Sequence, residues 1–435
     1  MESEVPSPVY QCVGIGVGPA NLSLASLLHG IPDAPNLFLD RKEHFSWHDG
    51  QLLAGTELQV SMFKDLVTLA DPTNSFSFLN YLHESGRIYH FINARFSALP
   101  RREFRNYLEW ACRRNPNVVF GEQVLSVDFQ DVFIVRTDKR VLRAENVVVG
   151  VGSQPWVPQA ALGKLGPTQF HVGELHTRGQ DVTGRDVCVV GGGQSGAEAF
   201  LDLLSRPPGA RPRRLTWVSR RSGFPPIDDS PFTNDFYMPC YSDYFARLER
   251  GAREMFNARH VFTSDGISEM TLQKIYQALY LHHFVDGGRE SVGLYPNRTV
   301  TEVTGHDAGW HILLAHNDDP RRNETITAEL VVWATGLQPA ATDFLEPIAG
   351  RLQREDKEYL IDRDFAVLWD GPRENNIFFQ NAARQQRGLA DVNLSLNAWR
   401  SQRIVDRLRG TRRRDQLPSF IQWSAADAGP GTAEV

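Results

Sequence analysis

The chain has 435 residues, of which 41% are hydrophobic, and its formal net charge is −6. This length predicts two or three domains, and the slightly acidic balance argues against a nucleic-acid-binding surface. Four scattered cysteines predict neither a metal site nor a redox dithiol, and the absence of a leader or of a membrane-spanning apolar run predicts a cytoplasmic protein without membrane contact.

The first glycine-rich turn follows an apolar run, residues 10–13, and opens onto a helix-like segment. Its glycines are Gly14, Gly16 and Gly18, and Pro19 stands where a further glycine is usual. Such glycines let the backbone approach a pyrophosphate, while the helix that follows directs unpaired N–H groups at the anion. The turn therefore predicts a dinucleotide site, with altered helix packing at Pro19.

Asp40 follows the next predicted strand, residues 37–39, at the spacing where a carboxylate accepts the ribose hydroxyls. This favours an unphosphorylated adenosine ribose, as in FAD. The rest of the block predicts one helix and three strands, at residues 104–113, 118–120, 132–137 and 147–149.

A second glycine-rich turn follows the apolar residues 187–190 and contains Gly191, Gly193, Ser195 and Gly196. The strand predicted after it, residues 215–218, ends in Arg220 and Arg221 rather than in an acid. Two guanidiniums suit a 2'-phosphate, so NADPH is favoured over NADH. One such turn alone is as well explained by a structural loop, but two turns, each with its ribose-reading residues, argue for two dinucleotides.

Residues 225–288 differ in composition from the segments before them: prolines and tyrosines come first, and a helical periodicity of apolar residues follows. Strands resume at residues 298–303 and 310–314, and the apolar run at residues 330–333 is expected to return the chain to the first sheet. The tail after residue 411 is arginine-rich and then polar, so we expect it to be poorly ordered.

The predicted fold class is α/β, with two Rossmann-like dinucleotide-binding domains and a small, mostly helical substrate domain. We assign residues 1–168 and 331–410 to an FAD-binding domain, and residues 169–224 and 289–330 to an NADPH-binding domain. Residues 225–288 form the predicted substrate domain, and residues 411–435 the tail.

Short runs in order along the chain resemble the flavin-dependent N-hydroxylating monooxygenases, the lysine and ornithine N-monooxygenase family of hydroxamate siderophore biosynthesis. These runs are residues 45–48, 59–68, 71–73, 228–234, 263–267, 334–336 and 393–400. The resemblance implies an enzyme that uses FAD, NADPH and molecular oxygen. In that family oxygen adds to reduced flavin to give a C4a-hydroperoxyflavin, which hydroxylates the terminal primary amine of a small molecule. Family members are often tetramers, so a homo-oligomer is expected.

The resemblance also implies roles for individual residues. Gln59, beside the reactive face of the flavin, and Lys64, paired with a substrate carboxylate, match the catalytic positions. The substrate-binding positions correspond to Lys64, Asn234, Ser264 and Leu394. Together the two turns and the resemblance give the cofactor-binding set: Gly14, Gly16, Gly18, Asn21, Asp40, Trp47, His48, Gln59, Gly191, Gly193, Ser195, Gly196, Arg220, Arg221, Thr335, Gly336, Leu394 and Ser395.

Four of these residues also have simpler explanations. Lys64 fits a surface charge, His48 a loop histidine, Trp47 core packing, and Asn234 a turn cap.

The substrate is only partly specified. The ornithine branch of the family typically carries an asparagine where this chain has Ser264, so the resemblance is closer to the branch that acts on L-lysine or on diamines such as cadaverine and putrescine. Lys64 would favour a carboxylate, but the same lysine occurs in members that use diamines. Lysine and the diamines therefore both stay open.

Other functions are less well matched. A flavin disulfide reductase needs a proximal cysteine pair, and sulfur-oxidising or Baeyer-Villiger monooxygenases need a Phe-x-Gly-x-x-x-His spacing that residues 170–176 lack. A dinucleotide sensor without enzymatic activity would leave Lys64 and Asn234 unexplained.

Overall fold

The computed structural model describes residues 8–179, 181–306, 308–319, 321–412 and 419–423. The strands in these ranges are β1 (Val9–Ile15), β2 (Asn36–Asp40), β3 (Val118–Phe120), β4 (Val124–Phe129), β5 (Phe133–Thr137), β6 (Val141–Val149), β7 (Ser153–Pro155), β8 (Gln169–His171), β9 (Asp186–Val190), β10 (Arg214–Val218), β11 (Val292–Tyr295), β12 (Arg298–His306), β13 (Gly309–His316), β14 (Asn323–Ala328), β15 (Leu330–Trp333), β16 (Leu337–Pro339), β17 (Arg354–Glu355), β18 (Glu358–Tyr359) and β19 (Ile377–Phe379).

The α-helices are α1 (Pro19–Leu28), α2 (Phe78–Glu84), α3 (Ile88–Ala94), α4 (Arg101–Arg114), α5 (Leu175–Arg178), α6 (Gln194–Ser205), α7 (Pro239–Ala246), α8 (Arg250–Arg259), α9 (Phe262–Asp265), α10 (Glu269–Tyr280), α11 (Arg384–Arg387) and α12 (Asn397–Arg409). A π-helical turn, Leu281–Val285, continues α10. No helix in the described ranges combines the length and the apolar character needed to cross a bilayer.

The first sheet has the order β3-β2-β1-β6-β5-β4, and β19 also pairs with β6. Strand β1 runs parallel to both β2 and β6, so the first glycine turn leaves the middle of the sheet. Both faces are covered by apolar side chains, with α1, α4 and α12 contributing to the core on one face. Covering on both faces is typical of parallel sheets and explains the continuous apolar runs in the sequence.

The second sheet is parallel throughout, with the order β11-β10-β9-β15-β8. Helix α6 covers one face, where Phe200 stacks on Trp217 with ring centroids 4.9 Å apart. The antiparallel sheet β12-β13-β14 covers the other face. The first sheet is mixed, with β3, β2, β1, β6 and β19 pairing in parallel and β4 and β5 added through antiparallel pairing, and the second is wholly parallel. Each has a glycine turn after a central strand, which confirms the predicted α/β class with two Rossmann-like units.

The expectation for residues 330–333 was wrong. Strand β15 lies in the second sheet, where Val331 pairs with both Cys188 and Gln169. The chain returns to the first sheet later, through β19, where Ile377 pairs with Val147. An apolar run that is buried on both faces fits any parallel sheet, so its sequence does not encode which neighbour it pairs with. The predicted domain boundary at residues 330/331 therefore falls inside a strand.

Residues 225–288 are mostly helical, as their periodicity predicted, and contain α7 to α10. Ile275 of α10 packs into the same core as Phe200 of α6, so this segment sits on the second sheet's helical face. An isolated bridge between Pro226 and Ile267 joins the two ends of the first part of the segment.

The expectation of a poorly ordered tail was wrong for residues 419–423. Ser419 is buried and donates a hydrogen bond to Asp235, and Trp423 packs edge-on against Tyr241 with ring centroids 4.6 Å apart. The tryptophan packed on an aromatic cluster buries apolar surface that helps to hold this short segment in place. The rest of the prediction, for residues 413–418 and 424–435, lies outside the described residues.

Candidate functional site: a cavity between two glycine turns

Both glycine turns open onto one cavity of about 1500 Å³. Gly16 and Gly18 line it from the first sheet, and Gly191 and Gly193 line it from the second. Residues 333–341, which connect the two sheets, form part of its wall. Sites for a single small ligand usually measure about 300–1,000 Å³. The cavity is therefore large enough for more than one ligand.

The first turn needs glycine for two different reasons. A Cβ on Gly14 would lie 2.0 Å from the Phe38 ring, and Gly16 has φ +89°, with a Cβ position 2.6 Å from the carbonyl oxygen of Gly150. Gly18, in contrast, has no atom within 4 Å of its Cβ position. The first two glycines let the chain pack tightly, while Gly18 leaves open space at the start of α1, where an anion is favoured.

Asp40 ends β2 at the edge of the cavity and is coupled to the first turn. One carboxylate oxygen accepts a hydrogen bond from the backbone N–H of Val17 (2.9 Å), and the other accepts from the N–H of Lys42 (2.9 Å). The Lys42 ammonium lies 3.7 Å away. These contacts fix the carboxylate and leave lone pairs for a ribose hydroxyl.

Asn21 lies beneath the turn and is fully buried. Its amide donates to the carbonyl oxygens of Ile15 (3.1 Å) and Gly16 (2.8 Å), and its oxygen accepts from Gln380 (2.8 Å). Both ends of the amide are occupied by protein groups. Asn21, predicted as a cofactor contact, therefore holds the shape of the turn in this structure.

Trp47 and His48 both line the cavity. Trp47 packs on the buried ring of Phe104 and edge-on against His48. The same side chain thus packs on the core and lines the cavity. His48 has φ +52° and lines the cavity, where its side chain stays accessible although protein atoms surround it. Desolvation and the nearby charge of Arg101 lower the pKa of His48 to about 4, so the imidazole is neutral at physiological pH.

The second turn, like the first, contains glycines with close contacts at the Cβ position and a glycine without them. Gly191 has φ +139°, and its Cβ position lies 2.0 Å from the carbonyl oxygen of Ala334. A Cβ on Gly196 would lie 2.1 Å from the oxygen of Gly191, whereas the nearest atom at Gly193 is 3.6 Å away. Ser195, in the first turn of α6, lines the cavity with its hydroxyl 3.5 Å from the Gln51 side-chain oxygen.

The two predicted arginines have different surroundings. The Arg221 guanidinium donates to the carbonyl oxygens of Gly192 (2.8 Å) and Asp265 (2.7 Å) and lies over the Phe262 ring. Arg220 is exposed and lines the cavity. Arg221 therefore braces the second turn, while Arg220 has its guanidinium available for an anion.

The connection after β15 and the segment before α12 form opposite walls. Thr335 donates its hydroxyl to the carbonyl oxygen of Trp156 (2.7 Å), and Gly336 has φ +96°. Leu394 lines the cavity from the other side. Ser395 is buried, and its N–H and hydroxyl both donate to Asn393, so it shapes this segment.

The predicted substrate residues are less closely grouped than the cofactor residues. Ser264, at the end of α9, lines the cavity, and the Lys64 ammonium lies 6.0 Å from the ring centre of Tyr237 in the neighbouring segment. Asn234 is exposed, and its amide donates to the carbonyl oxygen of Asp229 (2.8 Å), a turn-capping contact. Gln59 is exposed and donates weakly to the oxygen of Glu57 (3.4 Å).

Two polar links that the sequence does not predict join the layers around the cavity. Arg101 of α4 makes a bidentate ion pair with Glu198 of α6 at 2.8 and 2.9 Å, and both side chains are nearly buried. Gln194 donates to Glu198 and accepts from the N–H of Ser268, which starts α10. The Arg101–Glu198 pair and the Gln194–Ser268 pair each join residues more than 70 positions apart, so no local pattern predicts them.

Residues 8–339 match the family model described as L-lysine 6-monooxygenase/L-ornithine 5-monooxygenase. The chain belongs to this family. It is 37% identical to the L-lysine N6-monooxygenase of Escherichia coli, over 94% of this chain and 97% of that protein. Among solved structures, the FAD-bound cadaverine monooxygenase of the desferrioxamine pathway from Erwinia amylovora superposes with a TM-score of 0.88 at 28% identity, covering 96% and 99% of the two chains. The Kutzneria sp. 744 ornithine N-hydroxylase, solved with reduced FAD, NADP⁺ and L-ornithine, gives 0.85 at 27% identity, covering 93% and 99%.

Family membership confirms the predicted reaction class and cofactors. The protein is an NADPH-dependent flavin N-monooxygenase that uses FAD and molecular oxygen. The cavity fits these groups, because two helix N-termini face the same volume, and each is preceded by a glycine, Gly18 or Gly193, without a close contact at the Cβ position. The Asp40 carboxylate and the Arg220 guanidinium also line the cavity.

Proposed function

We propose that this protein hydroxylates the terminal primary amine of L-lysine or of an aliphatic diamine such as cadaverine or putrescine. The product would be an N-hydroxylamine for hydroxamate siderophore synthesis. The observation that carries the proposal is the single cavity that both glycine turns share with Ser264 and Leu394. Substrate residues placed against the meeting point of two dinucleotide sites suit a reaction in which the amine is brought to a reduced flavin.

The chain's own residues would hold the two cofactors. We assign the first turn, Asp40, Trp47 and His48 to FAD, and Arg220 with the second turn to NADPH. Bound FAD, reduced by NADPH, supplies the electrons for oxygen activation. One oxygen atom enters the amine and the other leaves as water, so amine, oxygen, NADPH and a proton give hydroxylamine, water and NADP⁺.

The amine must react as the free base, because an ammonium has no lone pair. The environment of Lys64 favours deprotonation: burial lowers the pKa of its own ammonium. Burial inside the cavity would lower the pKa of a substrate ammonium in the same way, so the reacting amine would lose its proton more easily. Neutral His48 adds no positive charge, and its unprotonated ring nitrogen is able to accept a hydrogen bond.

Ornithine is the weaker candidate. The side chain at position 264 is a serine, whose hydroxyl is committed to Asp265 (2.7 Å) and to the carbonyl oxygen of Val261 (3.2 Å). An asparagine in that place would extend further into the cavity and suit a shorter substrate. The high identity to a lysine N6-monooxygenase supports the same preference.

The test is the yield of hydroxylamine per NADPH consumed, with added FAD, across L-lysine, cadaverine, putrescine and L-ornithine. We expect tight coupling with lysine or a diamine and weak coupling with ornithine. Oxidation of NADPH at the same rate with and without any amine, giving only hydrogen peroxide, would refute the proposal. A Lys64→Ala variant should raise the KM for the coupled amine, while Lys139→Ala, at an exposed lysine, should not.

Two further assignments accompany this function. We propose that the enzyme is cytoplasmic and forms a homo-oligomer, a tetramer by family resemblance, and that the domains follow the predicted ranges with β15 moved to the NADPH-binding domain. Size-exclusion chromatography with light scattering would test the oligomer.

A further inference from the structure

In the described part of the chain, one guanidinium on the cavity wall beside Ser264 has no acidic partner. Arg384, the first residue of α11, is half-buried and lines the cavity, and its side chain makes one weak hydrogen bond, to the Ser264 hydroxyl at 3.4 Å. Among the described residues no carboxylate lies within ion-pair distance of it. Its neighbours differ: Arg387 pairs with Asp243 at 2.9 Å, and Arg400 with Asp391 at 3.0 Å.

Arg384 and Lys64 flank the same short segment. Lys64 lies over the ring of Tyr237, whose hydroxyl donates to the carbonyl oxygen of Thr263 (2.7 Å), next to Ser264. Arg384 reaches Ser264 from the other side. The charge of Arg384 also acts on Tyr237, where it partly offsets the rise in pKa that burial causes. Two cations therefore lie near the segment that contains Ser264, and one of them, Arg384, lines the cavity.

The acidic groups here do not neutralise both cations. Asp265 lines the cavity and accepts from the Ser264 hydroxyl at 2.7 Å. Glu358 lines it as well, but burial raises the pKa of its carboxyl, which lies against the backbone N–H of Gln385 (3.3 Å). A half-buried guanidinium without a partner carries a desolvation cost that a ligand carboxylate would offset.

We propose that Arg384 is a specificity residue that binds the α-carboxylate of an amino-acid substrate, with Asp265 receiving the α-ammonium. This rests on the proposed N-hydroxylase function and selects L-lysine over the diamines. A diamine presents only ammonium groups and brings further positive charge to the part of the wall that Arg384 forms. Lysine brings a carboxylate that suits the planar, two-donor face of the guanidinium.

The test compares three substrates that differ by one group. L-Lysine has both head groups, 6-aminohexanoate has the carboxylate without the α-ammonium, and cadaverine has the second ammonium without the carboxylate. Arg384→Gln should raise the KM for lysine and for 6-aminohexanoate by about 10- to 100-fold, the usual effect of losing a charge-assisted hydrogen bond. In the same variant, the KM for cadaverine and the KM for NADPH should each change by less than about twofold.

Controls separate specificity from misfolding. Arg384→Lys keeps the positive charge but lacks the planar guanidinium, so its KM for lysine should lie between those of wild type and Arg384→Gln. Arg373→Gln removes an exposed arginine elsewhere and should leave the KM for lysine unchanged. Lysine binding, measured by calorimetry in the absence of NADPH, should weaken in step with the KM. If Arg384→Gln does not fold, the Arg384→Lys variant with the three substrates decides the matter.

Several outcomes would overturn the inference. Equal changes in KM for lysine and cadaverine, or a rise confined to the KM for NADPH, would assign Arg384 to packing or to the nucleotide. A wild-type enzyme that prefers cadaverine over lysine would refute the carboxylate role while leaving N-hydroxylation intact. Failure to hydroxylate any terminal amine would instead refute the proposed function.

Discussion

Gly16 and Gly18 lie two residues apart in one turn, yet substitution by alanine should have opposite consequences. At Gly16 a Cβ would lie 2.6 Å from the backbone oxygen of Gly150, and φ is +89°. At Gly18 φ is −91°, and no atom lies within 4 Å of the Cβ position. Gly16→Ala should therefore destabilise the protein without cofactor, whereas Gly18→Ala should disturb only what occupies the open space.

The expected size follows from the geometry. Holding a non-glycine residue at an unfavourable positive φ costs about 1–3 kcal/mol, and the close contact with Gly150 cannot be relieved without moving β6 or the turn. Gly16→Ala should thus lower the free energy of unfolding of the apoprotein by about 1–3 kcal/mol. Strain that the apoprotein relieves by shifting the turn, but that FAD binding restores, appears instead as a higher Kd for FAD; the full cost of about 1–3 kcal/mol would raise this Kd by about 5- to 150-fold.

The assay needs both states of the protein. Thermal or denaturant unfolding of the FAD-free enzyme reports the first effect, and flavin titration followed by fluorescence reports the second. Gly18→Ala should leave unfolding of the apoprotein unchanged and weaken FAD binding. A loss of apoprotein stability in Gly18→Ala, or none in Gly16→Ala, would refute this account of the turn.

Two predictions concern charged groups of the cavity. Arg220→Ala should lower the ratio of kcat/KM for NADPH to kcat/KM for NADH, and an unchanged ratio would contradict this prediction. Arg221→Ala should instead lower the stability of the protein and weaken the binding of NADPH and NADH alike, because Arg221 holds Gly192 in place. The pKa of His48 is lowered from 6.5 to about 4, so the unfolded chain binds the proton first and stability is lost as pH falls through this interval. His48→Asn, which tolerates the left-handed backbone, should flatten the decline in Tm from pH 6.5 to 4, and an unchanged slope would show that His48 does not contribute.

Much of the cofactor site could be predicted because its determinants are local. Gly14, Gly16 and Asp40 lie within one strand-turn-helix-strand unit, and the physical demand for glycine or for a carboxylate is imposed by neighbouring atoms. Residue type and spacing are then sufficient. The same holds for the second turn and for the helical periodicity of α10.

What escaped prediction depends on long-range contacts. The partner strands of β15, the docking of Trp423 and the pairing of Arg101 with Glu198 are set by side chains far away in sequence. Arg384 is missed for a related reason. A lone arginine at the start of a short helix has no motif, and its importance appears only when Lys64, Ser264 and the cavity are brought beside it.

The two turns show why residues predicted as cofactor contacts are not all of one kind. In the second turn the carbonyl oxygen of Gly191 accepts from the Trp217 indole at 2.8 Å, and that of Gly192 accepts from Arg221. In a trans peptide the next N–H points away from the carbonyl, so both contacts turn backbone N–H groups outward from the protein side, as an anion site requires. Both backbone contacts of Arg221 use one guanidinium nitrogen and hold this side chain against the turn. Arg220 also lines the cavity and is exposed, so we expect it to contribute more than Arg221 to the preference for NADPH over NADH.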